Sequence, residues 1–252
     1  MPNTNNIIQA NIDNLTSLWQ AVSAPFNSLH TTPDYQYSLI DDSDWPNRLW
    51  LNPTSKLLTP ELLAKIKTQL TSSSKPLRFP LFDTPFNPTD EALLESHNFN
   101  PQFEQAGMTL QLTQSFTTQT NLNMIRVTTE SQANQWADIY PSSFNYFIHP
   151  KLLLESKDVD FYLATLNDQP IGTAVLYTQP ESKISGFHCL GIIPSARRQG
   201  HAEQIMRHLL NISLSQGSKY ATLQASPLGL HIYQRLGFQT QYTIKNYVLI
   251  ND

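Results

Sequence analysis

The chain has 252 residues, 40% hydrophobic and 14% charged, with a formal net charge of −4. That is ample apolar material and more length than one core usually organises, so two α/β units are expected; the missing positive field argues against nucleic acid as a partner. One cysteine, Cys189, excludes an intrachain disulfide and a cysteine-based metal cluster. The stretch Met1 to Ala10 lacks the charged and apolar regions of a secretion signal, and no window approaches the roughly 20 apolar residues of a membrane span, so a cytoplasmic protein that does not engage a membrane is expected.

Along the chain, Trp45 to Pro53 reads as a strand closing on proline, followed by a helix over Pro60 to Leu70. Met108 to Leu112 is a further strand. The polar stretch Thr113 to Asn123 has no apolar periodicity and sets the expected boundary between a unit of residues 1–115 and one of residues 124–252. In the second unit, Met124 to Thr128 reads as a strand and Glu130 to Tyr140 as a helix, with Thr129 its cap and Pro141 beyond its end. Phe161 to Leu166 and Ile171 to Tyr177 flank Asn167-Asp168-Gln169-Pro170 as a hairpin, and Lys183 to Ile193 is a third strand. A helix from about Gly200 to Gly217 places Ala202, Ile205, Met206, Leu209 and Leu210 on one face. A short strand (Ala221 to Ala225), a helix (Leu228 to Leu236) and one or two strands (Phe238 to Leu249) complete a mixed α/β sheet.

Of the eight glycines only Gly107 precedes residue 171, so unusual backbone geometry is concentrated near the C-terminal end. The informative segment there is Leu190-Gly191-Ile192-Ile193-Pro194-Ser195-Ala196-Arg197-Arg198-Gln199-Gly200-His201-Ala202. A strand breaks at proline, and a basic turn of small residues opens a helix. Unpaired N–H groups and the helix dipole suit an anion at that point, Gly200 and Ala202 permit close approach, and Arg197 and Arg198 add charge. An ordinary strand-to-helix turn with surface arginines is the competing reading of these residues alone.

Arg197-x-x-Gly200-x-Ala202 resembles the acyl-CoA pyrophosphate loop of the GNAT superfamily of N-acetyltransferases. Ile192-Ile193-Pro194 resembles the end of that family's fourth strand, and Tyr233-Gln234-Arg235-Leu236-Gly237-Phe238 its later Y-x-x-L-G-F motif. The resemblance covers Met124 to Asp252 and implies an α/β (α+β) fold, a mixed and mostly antiparallel sheet flanked by helices. It implies acetyl-CoA as co-substrate, held by Leu190, Ile192 and Ile193 along a splayed strand from Gly186 to Ile192. Arg197, Arg198, Gln199, Gly200, His201 and Ala202 then surround the pyrophosphate. Many members carry Asn where Ser226 stands, so a bond from Ser226 to the cofactor arm is a departure from the pattern. A backbone N–H near Leu190 would hold the oxyanion and Tyr233 would protonate the departing thiolate.

Strand alternation puts Gly186, His188 and Leu190 on one face and turns Cys189 away as a structural thiol. His188 is the candidate base, with Glu181 and water as rivals and a hydrogen-bonded core histidine as the bland reading. His201 is expected to be exposed or to touch phosphate. No metal is expected, since no ligand set stands at the needed spacing. Tyr140, Phe144, Tyr146 and Phe147 are candidates for the acceptor wall, or else core.

The first half carries a weak echo of the second: Leu94 to Phe99 parallels Tyr233 to Phe238, with Phe103 opposite Tyr242. A degenerate, tandem copy of the fold is expected there. It has Leu94 in place of the tyrosine and no glycine across Thr54 to Thr59, and it would close one side of the acceptor site. The expected activity is acetyl transfer to an amine of a small molecule or peptide. The alternatives are a catalytically silent acyl-CoA-binding or scaffolding protein and a pure interaction module. The oligomeric state is left open.

Overall fold

The structure, a computed structural model, describes residues 4–53, 58–119, 121–179 and 181–250; residues 54–57, on which the expectation of a turn without glycine partly falls, lie outside them. The chain begins with a helix that the sequence reading did not anticipate, α1 (Thr4–Ser23). Ile8, Asn11, Leu15, Leu18, Trp19 and Val22 recur at helical spacing and are all buried. β1 (Leu29–Thr31), β2 (Tyr35–Ser38) and β3 (Arg48–Leu51) form a small antiparallel sheet. α2 (Pro60–Ser72) follows, its Thr59 hydroxyl capping Leu62 N–H. β4 (Phe79–Asp83), α3 (Glu91–Glu95) and the long β5 (Phe99–Gln111) complete the first half. β5 starts well before the expected strand at Met108.

The second half contains β6 (Leu122–Arg126), α4 (Glu130–Ile139), α5 (Pro141–Phe144), α6 (Pro150–Glu155), β7 (Asp160–Leu166), β8 (Gln169–Gln179) and β9 (Ile184–Ile192). Thr129 and Gln132 cap α4 reciprocally, in a capping box. Asn167 and Asp168, at φ 50° and 62°, make the tight turn between β7 and β8. α7 (His201–Ser215), β10 (Tyr220–Ala225), α8 (Leu230–Arg235) and β11 (Gln239–Leu249) follow. α8 begins later than expected because Ser226 O accepts the N–H groups of both Gly229 and Leu230, which makes Ser226 to Gly229 a turn. The last apolar stretch is one strand with two register shifts.

β4 to β11 form one eight-stranded sheet in the order β4-β11-β5-β10-β9-β8-β7-β6, antiparallel except between β9 and β10. The echo between the halves has a counterpart here. β4–α3–β5 and β10–α8–β11 are both strand, short helix and long strand. The two long strands pair with each other, and each also pairs with the short strand of the other unit. Tyr247 of β11 is therefore buried with Leu49, Leu63, Ile66 and Phe79, while Met108 of β5 is buried with Ile205, Leu209 and Leu223. On the other face α1, α4 and α6 cover the sheet.

α1 is fastened by two fully buried asparagines. Asn11 Nδ2 donates to Met108 O (3.0 Å) and Thr109 Oγ1 (3.3 Å), and its Oδ1 accepts from Gln224 Nε2 (2.8 Å) and Tyr242 OH (3.0 Å). Asn14 Nδ2 reaches Tyr177 O and Ile184 O. Two glycines admit these contacts: a Cβ at Gly186 would stand 1.9 Å from Asn14 Oδ1, and one at Gly107 2.2 Å from the Tyr242 ring. Asn11→Ala strands the Tyr242 hydroxyl and the Gln224 amide inside the protein. It should lower unfolding free energy by about 2–4 kcal/mol in urea titration, and a loss under about 0.5 kcal/mol would show that the asparagine is not a structural hub.

Candidate active site

β9 and β10 run parallel only as far as Phe187 opposite Leu223, and residues of β9 beyond that point have no partner on β10. The strand thus splays where expected, leaving one row of main-chain groups open to an added extended chain. β9 also contains a bulge that alternation could not foresee. His188 pairs with Val175 and Gly191 with Thr173, so Cys189 and Leu190 together face Ala174, with Cys189 at φ +51°. This corrects two expectations. Cys189 packs on the α1 side of the sheet, as His188 does, whereas Leu190 packs on the α7 side. The bulged carbonyl of Cys189 is held by Thr173 Oγ1 at 3.0 Å.

Past β9, Pro194–Ala196 form a short 3₁₀ turn, Arg198 takes φ +62° and Gly200 φ +81°, and α7 begins. The position a Gly200 Cβ would occupy is open space. The first bond of the helical ladder is Gln204 N–H to Gly200 O, which leaves the N–H groups of His201, Ala202 and Glu203 outside that ladder. This geometry fits a pyrophosphate, since a glycine in a left-handed conformation and free N–H groups open on the same space.

The Arg197 side chain has partners within the protein: Nε donates to Ile192 O (2.9 Å) and Nη2 to Ser142 O (2.8 Å), so it ties the end of β9 to α5. Arg198 is exposed, and Gln199 donates to Ser195 O. His201, expected to be exposed or to touch phosphate, is buried at 8% exposure with neither ring nitrogen hydrogen-bonded, because side chains lean toward a helix's N-terminus and bring this one under the turn. Ile192 is buried, and Ile193 N–H is used by Ile171 O.

A cavity of about 970 Å³ opens beside the splay, and Leu190, His188, Ser226 and Tyr233 line it. Tyr233 packs edge-on against Phe238 (6.0 Å), and burial pushes its hydroxyl up to about 12, so it keeps its proton. Burial brings His188 down to about 3, with Arg48 acting in the same direction and Gln224 against it; its Nε2 is shielded and without a partner. Burial raises the Cys189 thiol to about 11, which keeps it protonated and a poor nucleophile. Glu181 lies exposed in the turn before β9, at the end of that strand away from the splay, and does not line the cavity.

The aromatic residues after α4 divide. Phe144 and Tyr146 line the cavity. Tyr140 is wholly buried behind them, stacked on Trp136 and Phe144 and donating to Tyr146 OH at 2.5 Å, while Phe147 is 42% exposed. The opposite wall comes from the first half and includes Trp19, Trp45, Arg48 and Arg78, none of which the sequence reading singled out. Among the described residues no group of three or more side chains could hold a metal ion, and no helix is long and apolar enough to cross a membrane.

The sequence model of an acetyltransferase (GNAT) domain matches residues 157–240, the segment that contains β9, the phosphate turn and α8. The chain therefore carries a GNAT acetyltransferase domain. Among solved structures, a GCN5-related N-acetyltransferase from Kribbella flavida superposes with a TM-score of 0.71 at 16% identity, covering 96% of both chains. Another from Sphaerobacter thermophilus gives 0.61 at 12% identity, over 85% of this chain and 76% of that one. A GNAT-family protein from Novosphingobium aromaticivorans gives 0.57 at 12% identity, over 91% and 94%. At these identities the likeness is one of fold, and it takes in the first half as well as the second. No curated protein matches the sequence.

His188 titrates near 6.5 when unfolded and near 3 in the native state, so the unfolded chain binds the extra proton between those values. Native stability therefore rises with pH across that window, by at most about 1.4 kcal/mol per pH unit from this group. Urea unfolding of the wild type and of His188→Gln at pH 4.5 and 7.5 should show a smaller pH difference in the variant; equal differences would remove the assignment.

Proposed function

We propose that the protein is an acetyl-CoA-dependent N-acetyltransferase that passes the acetyl group directly to a primary amine of a small molecule or peptide. The observation that carries this reading is the meeting of the splayed end of β9 and Tyr233 at one cavity, with the Gly200 turn following β9 directly in the chain. Residues 124–252 supply the catalytic part, and residues 1–115 supply the far wall of the acceptor site and no second phosphate turn.

Acetyl-CoA brings an acyl group activated as a thioester. The free edge of β9 from His188 to Ile192 binds its extended arm by main-chain hydrogen bonds, and the N–H groups at the start of α7 bind its pyrophosphate. Arg198 adds charge from the exposed side of the turn. A main-chain N–H near Leu190, beside the bulge, would hold the carbonyl oxygen, where negative charge develops as the amine attacks. His188 lines the cavity in its neutral form. It accepts the proton as the new C–N bond makes the amine nitrogen acidic, although its low basicity makes it a weak base before the bond forms. Tyr233 holds its proton at every physiological pH and delivers it to the departing thiolate. Cys189 takes no covalent part.

Tyr233→Phe should lower kcat by about 100-fold or more with the KM for acetyl-CoA unchanged, read as thiol release against a panel of amines. Full turnover would remove the acid role. In calorimetry, Gly200→Glu should abolish acetyl-CoA binding while the fold survives, since the new side chain enters open space and pays only the strain of its left-handed backbone, of the order of 1 kcal/mol. Unimpaired binding by that variant would place the cofactor elsewhere, and binding without turnover of any amine would leave an acyl-CoA-binding protein.

A further inference from the structure

The cavity wall built by the first half has a charge imbalance that the chemistry above does not use. Arg48, Lys75 and Arg78 line it, and Asp44 is the single carboxylate among its described lining residues. Asp44 is exposed and its Oδ2 accepts the Phe147 N–H at 2.8 Å. Arg48 is the better enclosed of the two arginines. Its guanidinium lies 4.4 Å from the Trp19 ring centroid and its Nε donates to Pro46 O, while no described residue accepts from its two terminal nitrogens. Arg78 pairs with Arg48 through the main chain, donates Nη1 to Gln102 Oε1 and lies over Phe103. Burial lowers Arg48 to about 10, and its charge is felt at Tyr146, Cys189 and His188, the groups around the bulge in β9.

A guanidinium enclosed without an anion is costly, and a carboxylate bound by its fork recovers the loss through two parallel charge-assisted hydrogen bonds. Aromatic faces of Trp19, Trp45, Phe144 and Tyr146 line the same cavity and suit an apolar body beside that carboxylate. We propose that the acceptor is an amino acid or a similar amine bearing a carboxylate a few bonds from its nitrogen, and that Arg48, supported by Arg78, binds that carboxylate. Its closeness to the bulge sets the span: carboxylate on Arg48, nitrogen at His188 and the splayed strand. The amine half of this assignment rests on the acetyltransferase reading, whereas the carboxylate half does not.

The test uses the whole protein with acetyl-CoA and a panel of amino acids with small, branched and aromatic side chains, each beside its decarboxylated amine. The wild type should use at least one amino acid with kcat/KM at least roughly 10-fold above its decarboxylated partner. Arg48→Gln should raise the KM for that amino acid roughly 10- to 100-fold, leave the KM for acetyl-CoA unchanged and change the KM for the decarboxylated amine far less, with Arg48→Lys recovering part of the loss. A second arm needs no turnover: N-acetyl amino acids and the matching N-acetyl amines are titrated into the protein–CoA complex. Preference for the carboxylated ligands that disappears in Arg48→Gln would support the site even if no amine is acetylated, a result that would sink the transferase reading alone. Equal use of both members of every pair by the wild type, or equal binding of both N-acetyl compounds, overturns the carboxylate site however the variants fold.

Discussion

The reciprocal placement of β5 and β11 is the constraint on which the rest of the structure depends. Each long strand lies between its neighbour from the other unit and that unit's short strand, so the sheet is continuous across the polar stretch that separates the halves in sequence. Tyr247 is buried in one core and Met108 in the other, and neither core is complete without chain from the far side of residues 113–123. The Asn11 side chain bonds this exchange at its middle, touching β5, β10 and β11 at once. The cavity inherits its two walls from the same exchange, one from β9 and α8, the other from α1, β3 and the approach to β4.

Within that cavity, burial sorts the titratable groups by what they can still do. Desolvation penalises the charged form of each, so His188 stays neutral, the Cys189 thiol and the Tyr233 phenol stay protonated, while Arg48, starting from a high basicity, keeps its charge. A neutral acceptor and a neutral donor beside an enclosed guanidinium form an unusual set for a purely structural interior. The low dielectric that lowers the basicity of His188 would also strengthen, in the proposed reaction, a hydrogen bond from a main-chain N–H at the bulge to developing charge.

The second half was readable because its turns use residues with a local mechanism. Thr129 with Gln132, Asn167-Asp168, and Gly200 each fix a boundary, and the Ile205, Met206, Leu209 and Leu210 stripe fixes the face of α7. The bulge was not readable, since a cysteine at positive φ has no sequence signature and is imposed by the packing of Thr173 and the neighbouring strand. Arg197 shows a related limit: a motif gives the residue but not the carbonyls of Ile192 and Ser142 to which its side chain donates. α1 had a signal, a buried stripe from Ile8 to Val22, obscured by the two asparagines inside it. Those asparagines bond to strands about 100 to 230 residues away, and no local pattern announces such partners.

The strand exchange also bears on how the chain can be made. β5 leaves the ribosome more than a hundred residues ahead of both of its neighbours, β10 and β11. For that interval its apolar face and both hydrogen-bonding edges lack their native partners, and it must avoid pairing with strands of other nascent chains. Closure of the core around Tyr247 waits for residues 239–249, so folding is dominated by contacts distant in sequence and completes late.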